Sequence, residues 1–305
     1  MIRNGESVWG ALALLAFGAV CVSFAAVFVK LVDPSALGPT AIGFWRAFSG
    51  AVILFGWATV SGKSLRMPPI VWRFALLAGF VFFLDLYFWH RSIIFSGAGM
   101  ATILASTQVF VTALLGAVVF GERLSLKFFA AAASAVVGIA LLVGVGSQVE
   151  FGSVYVAGIV FGLLTGLVYG IYLVIMKRIG HEKQRPHFLT VMAWTSLFTS
   201  CFLGGATALE SSAFAPPDLY HWVVLVSLGL VAQALGWWAI TSALPRLMTS
   251  RSSLGLLLQP VLTTVWGYLF FSEYLAPLQI VGAAVTLAAI YYGSVRRSVL
   301  ADRSP

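Results

Sequence analysis

The stretch QVFVTALLGAVVFGERL at residues 108–124 recurs, with changes, as QPVLTTVWGYLFFSEYL at residues 259–275. Six of the 17 aligned positions are identical, and the shift of 151 residues is almost half of the 305-residue chain. The identical pairs are Gln108 and Gln259, Thr112 and Thr263, Gly116 and Gly267, Phe120 and Phe271, Glu122 and Glu273, and Leu124 and Leu275. An internal repeat of this length predicts two related units, residues 1–148 and residues 149–305.

The composition around this repeat is typical of a membrane protein. Hydrophobic residues make up 60% of the chain, charged residues only 9%, and the mean hydropathy is +0.99, whereas about a quarter of a soluble domain is charged. Apolar runs of about 20 residues have the length of a membrane-spanning helix. Ten such runs lie near residues 9–30, 39–60, 70–91, 98–120, 125–145, 151–176, 188–209, 219–241, 249–271 and 276–295. The lipid bilayer is therefore the expected solvent.

The number of spans in each half determines how the halves are related. Five spans is an odd number, so the second half must cross the membrane in the opposite direction. We therefore predict an all-α polytopic membrane protein with ten transmembrane helices, arranged as two inverted five-helix repeats. Secondary transporters use this plan, with the substrate site near the midplane between the repeats.

The basic residues predict the orientation. Of 18 Lys and Arg residues, 15 fall on the side of the N-terminus, Lys30 and Arg91 fall on the other side, and Arg46 lies within a span. Positive charge marks the cytoplasmic side, so both termini are expected there. This distribution also explains the net charge of +8 without a nucleic-acid partner.

Other chemistries have no support in the motifs. The four histidines form no His-Glu-x-x-His pattern, no cysteine pair has zinc spacing, and there is no Gly-x-Ser-x-Gly elbow. The segment at residues 56–64 is one residue away from the phosphate-loop spacing and follows a membrane helix. Neither a metal, a cofactor nor an enzymatic activity is expected.

Two ionisable residues lie within the spans. Arg46 is about 7 residues from the end of the second span and Asp85 about 6 from the end of the third, so both lie roughly 10 Å inside the same membrane face. They could form a structural ion pair, or they could engage a zwitterion or couple a proton. Lys30, His90 and Arg91 are expected to reach the outer interface.

Three glutamines and several aromatic residues are further candidates for the substrate site. Gln108 and Gln259 occupy equivalent, midplane positions of the repeat, and Gln233 is similarly deep in the eighth span. Their amides could bond between helices or line a cavity. Tyr87, Tyr169 and Trp237 could pack in the core or line a passage, and Tyr169 lies beside glycines spaced four apart, at 158, 162, 166 and 170.

Several short segments carry a family resemblance. The segments VVFGERL at 118–124, LLQP at 257–260, FFSEYL at 270–275 and QIVG at 279–282 resemble the ends of EamA-type repeats of the drug/metabolite transporter superfamily. The segment FWR at 44–46 is similar to that family's second-helix arginine. Within the superfamily, the chain most resembles bacterial aromatic amino acid exporters.

This resemblance implies a secondary transporter of the bacterial inner membrane. It would export amino acids, aromatic or otherwise neutral and hydrophobic, and related small metabolites by alternating access. A lipophilic cation or a phosphorylated metabolite is an alternative cargo, and a membrane enzyme or lipid-handling protein is an alternative class. The oligomeric state is open, and a monomer is compatible with the sequence.

Overall fold

The computed structural model describes residues 8–120, 126–144, 152–180, 182–184, 186–246, 256 and 258–294. Within these ranges every regular element is a helix and no strand occurs. The α-helices are α1 (Val8–Ser23), α2 (Ala25–Leu31), α3 (Pro39–Val60), α4 (Pro69–Ser96), α5 (Ala98–Ala105), α6 (Gln108–Phe120), α7 (Leu126–Val143), α8 (Ser153–Gly180), α9 (Phe188–Leu209), α10 (Leu219–Leu228), α11 (Trp237–Ala243), α12 (Leu258–Phe271) and α13 (Pro277–Ser294). A π-helical segment, Gly229–Gly236, joins α10 to α11, and a 3-10 turn, Leu244–Arg246, follows α11.

Eight stretches of the described residues are long and apolar enough to cross a membrane. They are Trp9–Leu31, Pro39–Val60, Pro69–Ser96, Ala98–Val119, Leu126–Val143, Ser153–Gly180, Phe188–Leu209 and Leu219–Ala243. The first eight predicted spans are thus confirmed as helices, and the protein is an all-helical, multi-pass membrane protein. The ninth predicted span, 249–271, lies partly outside the described residues. The tenth, 276–295, contains α13, in which the apolar stretch found is the shorter Pro277–Ala289.

Proline and glycine set several helix boundaries. Pro39 and Pro69 each occupy a first helical position, where the missing N–H costs no hydrogen bond. Gly97 separates α4 from α5 with a φ of +94°, a conformation that side-chain-bearing residues rarely adopt. A Cβ atom at this position would also lie 3.3 Å from the Glu273 carboxylate. Residue 97 therefore has two independent reasons to be glycine.

Three spans are not continuous α-helices. The first is interrupted at Phe24, between α1 and α2, and the fourth at residues 106–107, between α5 and α6. The eighth contains the π-helical segment. Irregular backbone at membrane depth is tolerated only where protein buries it or a cavity faces it. These interruptions therefore point to the interior of the bundle as the functional region.

Small residues allow the closest helix contacts. The four glycines on α8 predicted to form a stripe pack against the end of α4 and along α5 and α6: a Cβ on Gly158 would lie 2.9 Å from the Cβ of Ser96, and one on Gly170 would lie 3.1 Å from the Gln108 carbonyl oxygen. At the crossing of α7 and α13, a Cβ on Gly138 would lie 2.7 Å from the Thr286 backbone nitrogen. The backbones approach this closely only because side chains are absent.

Two ends of the bundle can be distinguished by their charged residues. The Glu273 end contains Lys30, Arg91, Glu210 and Glu273 at the termini of α2, α4, α9 and α12. The Lys63 end contains Lys63 and Arg66 in the loop between α3 and α4, and Lys177 and Arg178 in the last turn of α8. The central cavity lies between these two ends.

Candidate functional site: a central cavity

A cavity lies in the middle of the bundle, next to the interrupted parts of the first and fourth spans. The space between its lining side chains is about 640 Å³ when the open mouth of the cavity is included. The lining residues come from seven spans and combine aromatic, polar and charged side chains. They are Val22, Arg46, Asp85, Trp89, Thr102, Ala105, Ser106, Gln108, Val109, Thr165, Tyr169, Trp237, Leu256, Gln259 and Thr263.

The structure brings most of the predicted site residues together. Six of the eight line this cavity: Arg46, Asp85, Gln108, Tyr169, Trp237 and Gln259. Gln233 is not one of the lining residues, but it accepts a hydrogen bond from Arg46, which is. Tyr87 does not line the cavity, and its neighbours are described below.

Arg46 is held in one orientation by the residues around it. The side chain is almost fully buried at 2% exposure, its Nε donates to Gln233 Oε1 at 3.3 Å, and its guanidinium lies 5.5 Å from the centre of the Trp89 ring. Its Nη1 atom is buried without a hydrogen-bond partner among the described residues. Arg46 therefore presents at least one unused donor.

Gln233 positions Arg46 from the π-helical segment. While its Oε1 accepts from Arg46, its Nε2 donates to Ser196 Oγ at 2.9 Å. Gly50, one turn after Arg46 on α3, leaves the space that the Gln233 side chain fills. The amide therefore bridges α3 and α9, as the interhelical interpretation of this glutamine predicts.

Asp85 faces the same cavity from α4. It is buried at 6% exposure, and its Oδ1 atom has no hydrogen-bond partner in the described part of the chain. Asp85 and Trp89 are four residues apart on one helix face, so both reach the same wall. The structure has no direct ion pair between Asp85 and Arg46 among its described contacts.

The two repeat-equivalent glutamines, Gln108 and Gln259, line the same cavity. Gln108 begins α6 directly after the interruption of the fourth span, and its Oε1 accepts from Thr112 Oγ1 at 3.1 Å. Gln259 lies in the first turn of α12, and its Nε2 atom has no hydrogen-bond partner among the described residues. Both are more than nine-tenths buried.

Aromatic rings form another wall of the cavity. Trp237 meets Tyr169 edge-on at a centroid distance of 5.6 Å and Tyr172 at 5.3 Å. Behind them Tyr172 stacks on Phe82 at 4.7 Å. Trp237 Nε1 has no described hydrogen-bond partner. The wall is therefore apolar, with a donor available at its edge.

The sequence interpretation missed several lining residues as site candidates. Trp89 could have been found from its spacing of four from Asp85. The hydroxyls of Thr102, Ser106 and Thr165 bond to carbonyls in their own helices. Small hydroxyl residues of this kind occur throughout membrane helices, so nothing in the sequence marks those that face a cavity.

Lys30 and Arg91, at the Glu273 end, form ion pairs with acidic residues. The expectation from the sequence was only that they extend to the outer membrane interface. Lys30 forms an ion pair with Glu273, which also accepts from the Ala98 N–H at 3.0 Å. His90 is fully buried, with Nδ1 3.2 Å from the Pro39 carbonyl oxygen, so its predicted interfacial position was wrong.

Tyr87 belongs to this end of the bundle. Its ring lies 3.6 Å from the Arg91 guanidinium, which also donates to Glu210 Oε1 at 2.6 Å and Thr40 Oγ1 at 2.8 Å. Tyr87 therefore packs on a cation outside the cavity. The sequence could show its depth in the span but not the direction in which it points.

A helix cap at this end carries a shifted pKa. Asp218 Oδ1 accepts from the His221 backbone N–H at 2.9 Å at the start of α10. This hydrogen bond, together with the contact to the His221 ring, lowers the pKa of the Asp218 carboxyl. The described residues contain no cluster of three or more His, Cys, Asp or Glu that could hold a metal ion.

A multi-pass helical bundle with a buried, partly polar cavity is typical of membrane transporters. The EamA-like transporter family matches residues 8–144 and 156–294, so the chain belongs to that family. It is a transporter rather than an enzyme.

Individual relatives are distant. The chain is 27% identical over 201 residues to a "Probable amino-acid metabolite efflux pump" of Salmonella typhimurium, covering 64% of this chain and 66%, just under two thirds, of that protein. It is 26% identical to an "Uncharacterized transporter" of Archaeoglobus fulgidus, over 95% of this chain and 96% of the relative. A solved crystal structure superposes with a TM-score of 0.69 at 19% identity, covering 94% of this chain and 96% of the other, which supports the fold.

Proposed function

We propose that this protein exports amino acids, aromatic or otherwise neutral and hydrophobic, and related small metabolites across a bacterial inner membrane by alternating access. The central cavity is the substrate site. Arg46, Asp85, Gln108, Gln259, Tyr169 and Trp237 contact the substrate, and Gln233 positions Arg46. No cofactor takes part.

The observation that carries this proposal is the mixed lining of one buried cavity. Aromatic rings and buried polar groups face the same cavity, and this mixed chemistry suits a small solute with a polar head and an apolar side chain. The names of two relatives also support an amino acid substrate. Besides the efflux pump of Salmonella typhimurium, a protein of Streptantibioticus cattleyicolor is named a "Probable terminal-alkyne amino-acid exporter".

Ten transmembrane helices in two inverted repeats, residues 1–148 and 149–305, form part of the proposal. Its support is that helix contacts come in pairs. The packing of α4 on α8 corresponds to that of α11 on α1, and the packing of α5 on α8 to that of α12 on α1. Exchanging the halves turns each contact into its counterpart, as a twofold axis in the membrane plane requires. The family also matches the chain twice.

Both termini are proposed to be cytoplasmic, which makes the Lys63 end the inner one. Cysteines introduced at Lys183 and at Ala215 test this, because both residues are exposed in loops at opposite ends. Cys21 and Cys201, the two free cysteines, are first replaced by alanine. An impermeant thiol reagent applied to intact cells should label the Ala215→Cys variant and leave Lys183→Cys unlabelled; the opposite pattern would reverse the orientation.

Transport itself is tested with the purified full chain in proteoliposomes. Vesicles loaded with unlabelled phenylalanine, leucine or glutamine should accumulate the corresponding labelled amino acid by counterflow, with the aromatic and aliphatic substrates ahead of glutamine. We expect weak dependence on a proton gradient. Absence of counterflow for every amino acid, together with transport of a lipophilic cation or a sugar phosphate, would replace this function by one of the alternatives.

A further inference from the structure

We propose that Arg46 and Asp85 are the two charge-recognition points for a zwitterion, with Arg46 binding the carboxylate and Asp85 binding the ammonium group of a free α-amino acid. This inference rests on the proposed function and narrows its substrate class. It excludes amines without a carboxylate and acids without an amine as good substrates.

The first support is that both side chains are buried and incompletely paired. Arg46 is 2% exposed with Nη1 unpartnered, and Asp85 is 6% exposed with Oδ1 unpartnered among the described residues. A buried charge without a hydrogen-bonding partner is unfavourable. Each of these residues therefore has an atom that gains from a ligand of opposite charge.

The second support is that the two charges share a cavity without contacting each other directly. Gln233 and the Trp89 ring hold Arg46 on one side, and Asp85 comes from the neighbouring helix α4. A structural ion pair would close the gap between the side chains. Without that pair, both charges in the cavity stay available to a ligand that carries one charge of each sign.

The third support is the balance of charge in the lining. Arg46 and Asp85 are the charged residues among those described around this cavity, one of each sign. A lipophilic cation would satisfy Asp85 and leave Arg46 facing it with the same sign of charge. A phosphorylated metabolite would bring at least two negative charges to one arginine and one carboxylate. A zwitterion has no net charge and satisfies both residues.

The surroundings fit the rest of an amino acid. The guanidinium of arginine can bind a carboxylate through two parallel hydrogen bonds, and its Nε is already engaged by Gln233, which leaves the terminal nitrogens for the ligand. The Trp237 and Tyr169 rings form an apolar wall of the same cavity. An aromatic or aliphatic side chain would lie against that wall.

The test compares phenylalanine with two molecules that each lack one charged group. Phenethylamine lacks the carboxylate and 3-phenylpropanoate lacks the ammonium group, and both keep the phenyl ring. In counterflow of labelled phenylalanine by the wild-type protein, each should inhibit at least about tenfold more weakly than unlabelled phenylalanine, because each loses a charge-assisted hydrogen bond. Equal inhibition by either compound would overturn the inference and leave amino acid transport intact.

Two variants assign the groups to their residues. Asp85→Asn should reduce discrimination against 3-phenylpropanoate and keep discrimination against phenethylamine, and Arg46→Gln should do the reverse. Glu210→Gln, a neutralisation at the Glu273 end, is the control and should alter neither ratio. A structural role for either residue would change both ratios equally or neither, which would overturn the assignment.

Variants that fail to yield monodisperse protein leave the wild-type competition as the deciding measurement. Absence of any phenylalanine or leucine counterflow in the wild type would overturn the proposed function and this inference together. Counterflow without charge discrimination would overturn this inference alone.

Discussion

Arg91 and Arg46 lie in different parts of the bundle and are partnered differently. At the Glu273 end, Arg91 donates to Glu210 and Thr40 and lies on the Tyr87 ring. In the central cavity, Arg46 has one hydrogen bond, through Nε, and a buried Nη1 with no described partner. Arg46 is also the more deeply buried of the two side chains.

Two carboxylates, Glu273 and Asp85, differ in their partners in the same way as the two arginines. Glu273 accepts from Lys30 and from the Ala98 N–H and so joins the first, fourth and ninth spans. Asp85 has an unpartnered Oδ1 in the described structure. The difference teaches that burial alone does not identify a binding residue: at the Glu273 end polar groups hold helices together, whereas in the cavity they retain capacity for a ligand.

The largest effect is expected from the two arginines. Arg46→Leu should lower transport per folded molecule by between about tenfold and a hundredfold, since hydrogen bonds to a charged group contribute about 1.5–3 kcal/mol. Arg91→Leu should mainly lower the melting temperature, with transport per folded molecule within about threefold of wild type, since its ion pair with Glu210 lies outside the cavity and solvent at the partly exposed Glu210 screens the attraction.

Counterflow rates normalised to monodisperse protein, with melting curves in detergent, provide the measurement. If Arg91→Leu abolished transport while Arg46→Leu did not, the substrate site would have to lie at the Glu273 end and not in the central cavity.

Three buried glutamines allow a closer comparison. Gln108→Ala and Gln259→Ala should each weaken apparent substrate affinity about fivefold, the effect of losing one hydrogen bond of about 1 kcal/mol. Gln279 is equally buried, but both ends of its amide are used: Oε1 accepts from the Ala276 N–H at 3.0 Å and Nε2 donates to the Leu142 carbonyl oxygen at 2.9 Å. Gln279→Ala should therefore reduce stability and leave affinity unchanged.

Saturation curves for counterflow, recorded beside melting curves for the same three variants, separate affinity from stability. Unchanged kinetics in both cavity variants would assign Gln108 and Gln259 to helix packing.

A smaller effect is expected from the Lys30–Glu273 ion pair. Its side chains are 26% and 21% exposed, so solvent screens the attraction and the pair should contribute about 0.5–1 kcal/mol. Lys30→Met and Glu273→Gln should each lower the free energy of unfolding, and the double variant should lose less than the sum of the two. Equilibrium unfolding of the four proteins measures this coupling, and strictly additive losses would mean that the residues act independently.

The smallest effect concerns a histidine cap at the Lys63 end. His187 Nδ1 accepts from the Leu189 N–H at 3.2 Å at the start of α9, and partial burial, followed by the charge of Lys63, lowers the pKa of the ring. Only the neutral ring can accept this bond. Its contribution should therefore be complete above the ordinary pKa of about 6.5 and be lost as the pH falls through the lower value of the folded protein.

Because the ring is exposed, we expect a change of at most about 0.5 kcal/mol between pH 7.5 and 5.0. Melting curves at both pH values measure it. His187→Asn, which caps without titrating, should remove this part of the pH dependence; an identical pH response in both proteins would contradict the prediction.

Composition and periodicity predicted much of the fold, because lipid imposes one length and one helical period on every span. They could not predict the interruption at Phe24 or the π-helical segment. The π-helical residues, GLVAQALG, form an ordinary apolar run, and the wider winding depends on packing against α3 and α1. A proline in a span is visible in the sequence because its ring removes a backbone donor, whereas these two irregularities depend on tertiary contacts.

The site was predicted to the extent that depth determines it. Gln108 and Gln259 were expected near the midplane, and Arg46 and Asp85 roughly 10 Å inside one membrane face, because each is a polar residue deep in an apolar run. Tyr87 was misplaced, and Trp89 was passed over, because depth does not specify the direction around a helix. The partners of Lys30 and Arg91 were hidden for a different reason: Glu273 and Glu210 are 243 and 119 residues away in the chain.

The π-helical segment also makes the eighth span tolerant of a change in chain length at one place. Each residue added to an α-helix turns the following side chains by about 100°, and a π-helical turn accommodates a residue that an α-helical turn would not. Deleting one residue, for example the exposed Leu230, would let the eighth span wind as a regular α-helix. Trp237 would then keep about its present direction toward Tyr169, whereas a deletion in the α-helical residues before the segment would turn it by about 100°. Gly229–Gly236 is therefore the part of the eighth span in which a transporter of this shape could lose a residue and keep its cavity lining.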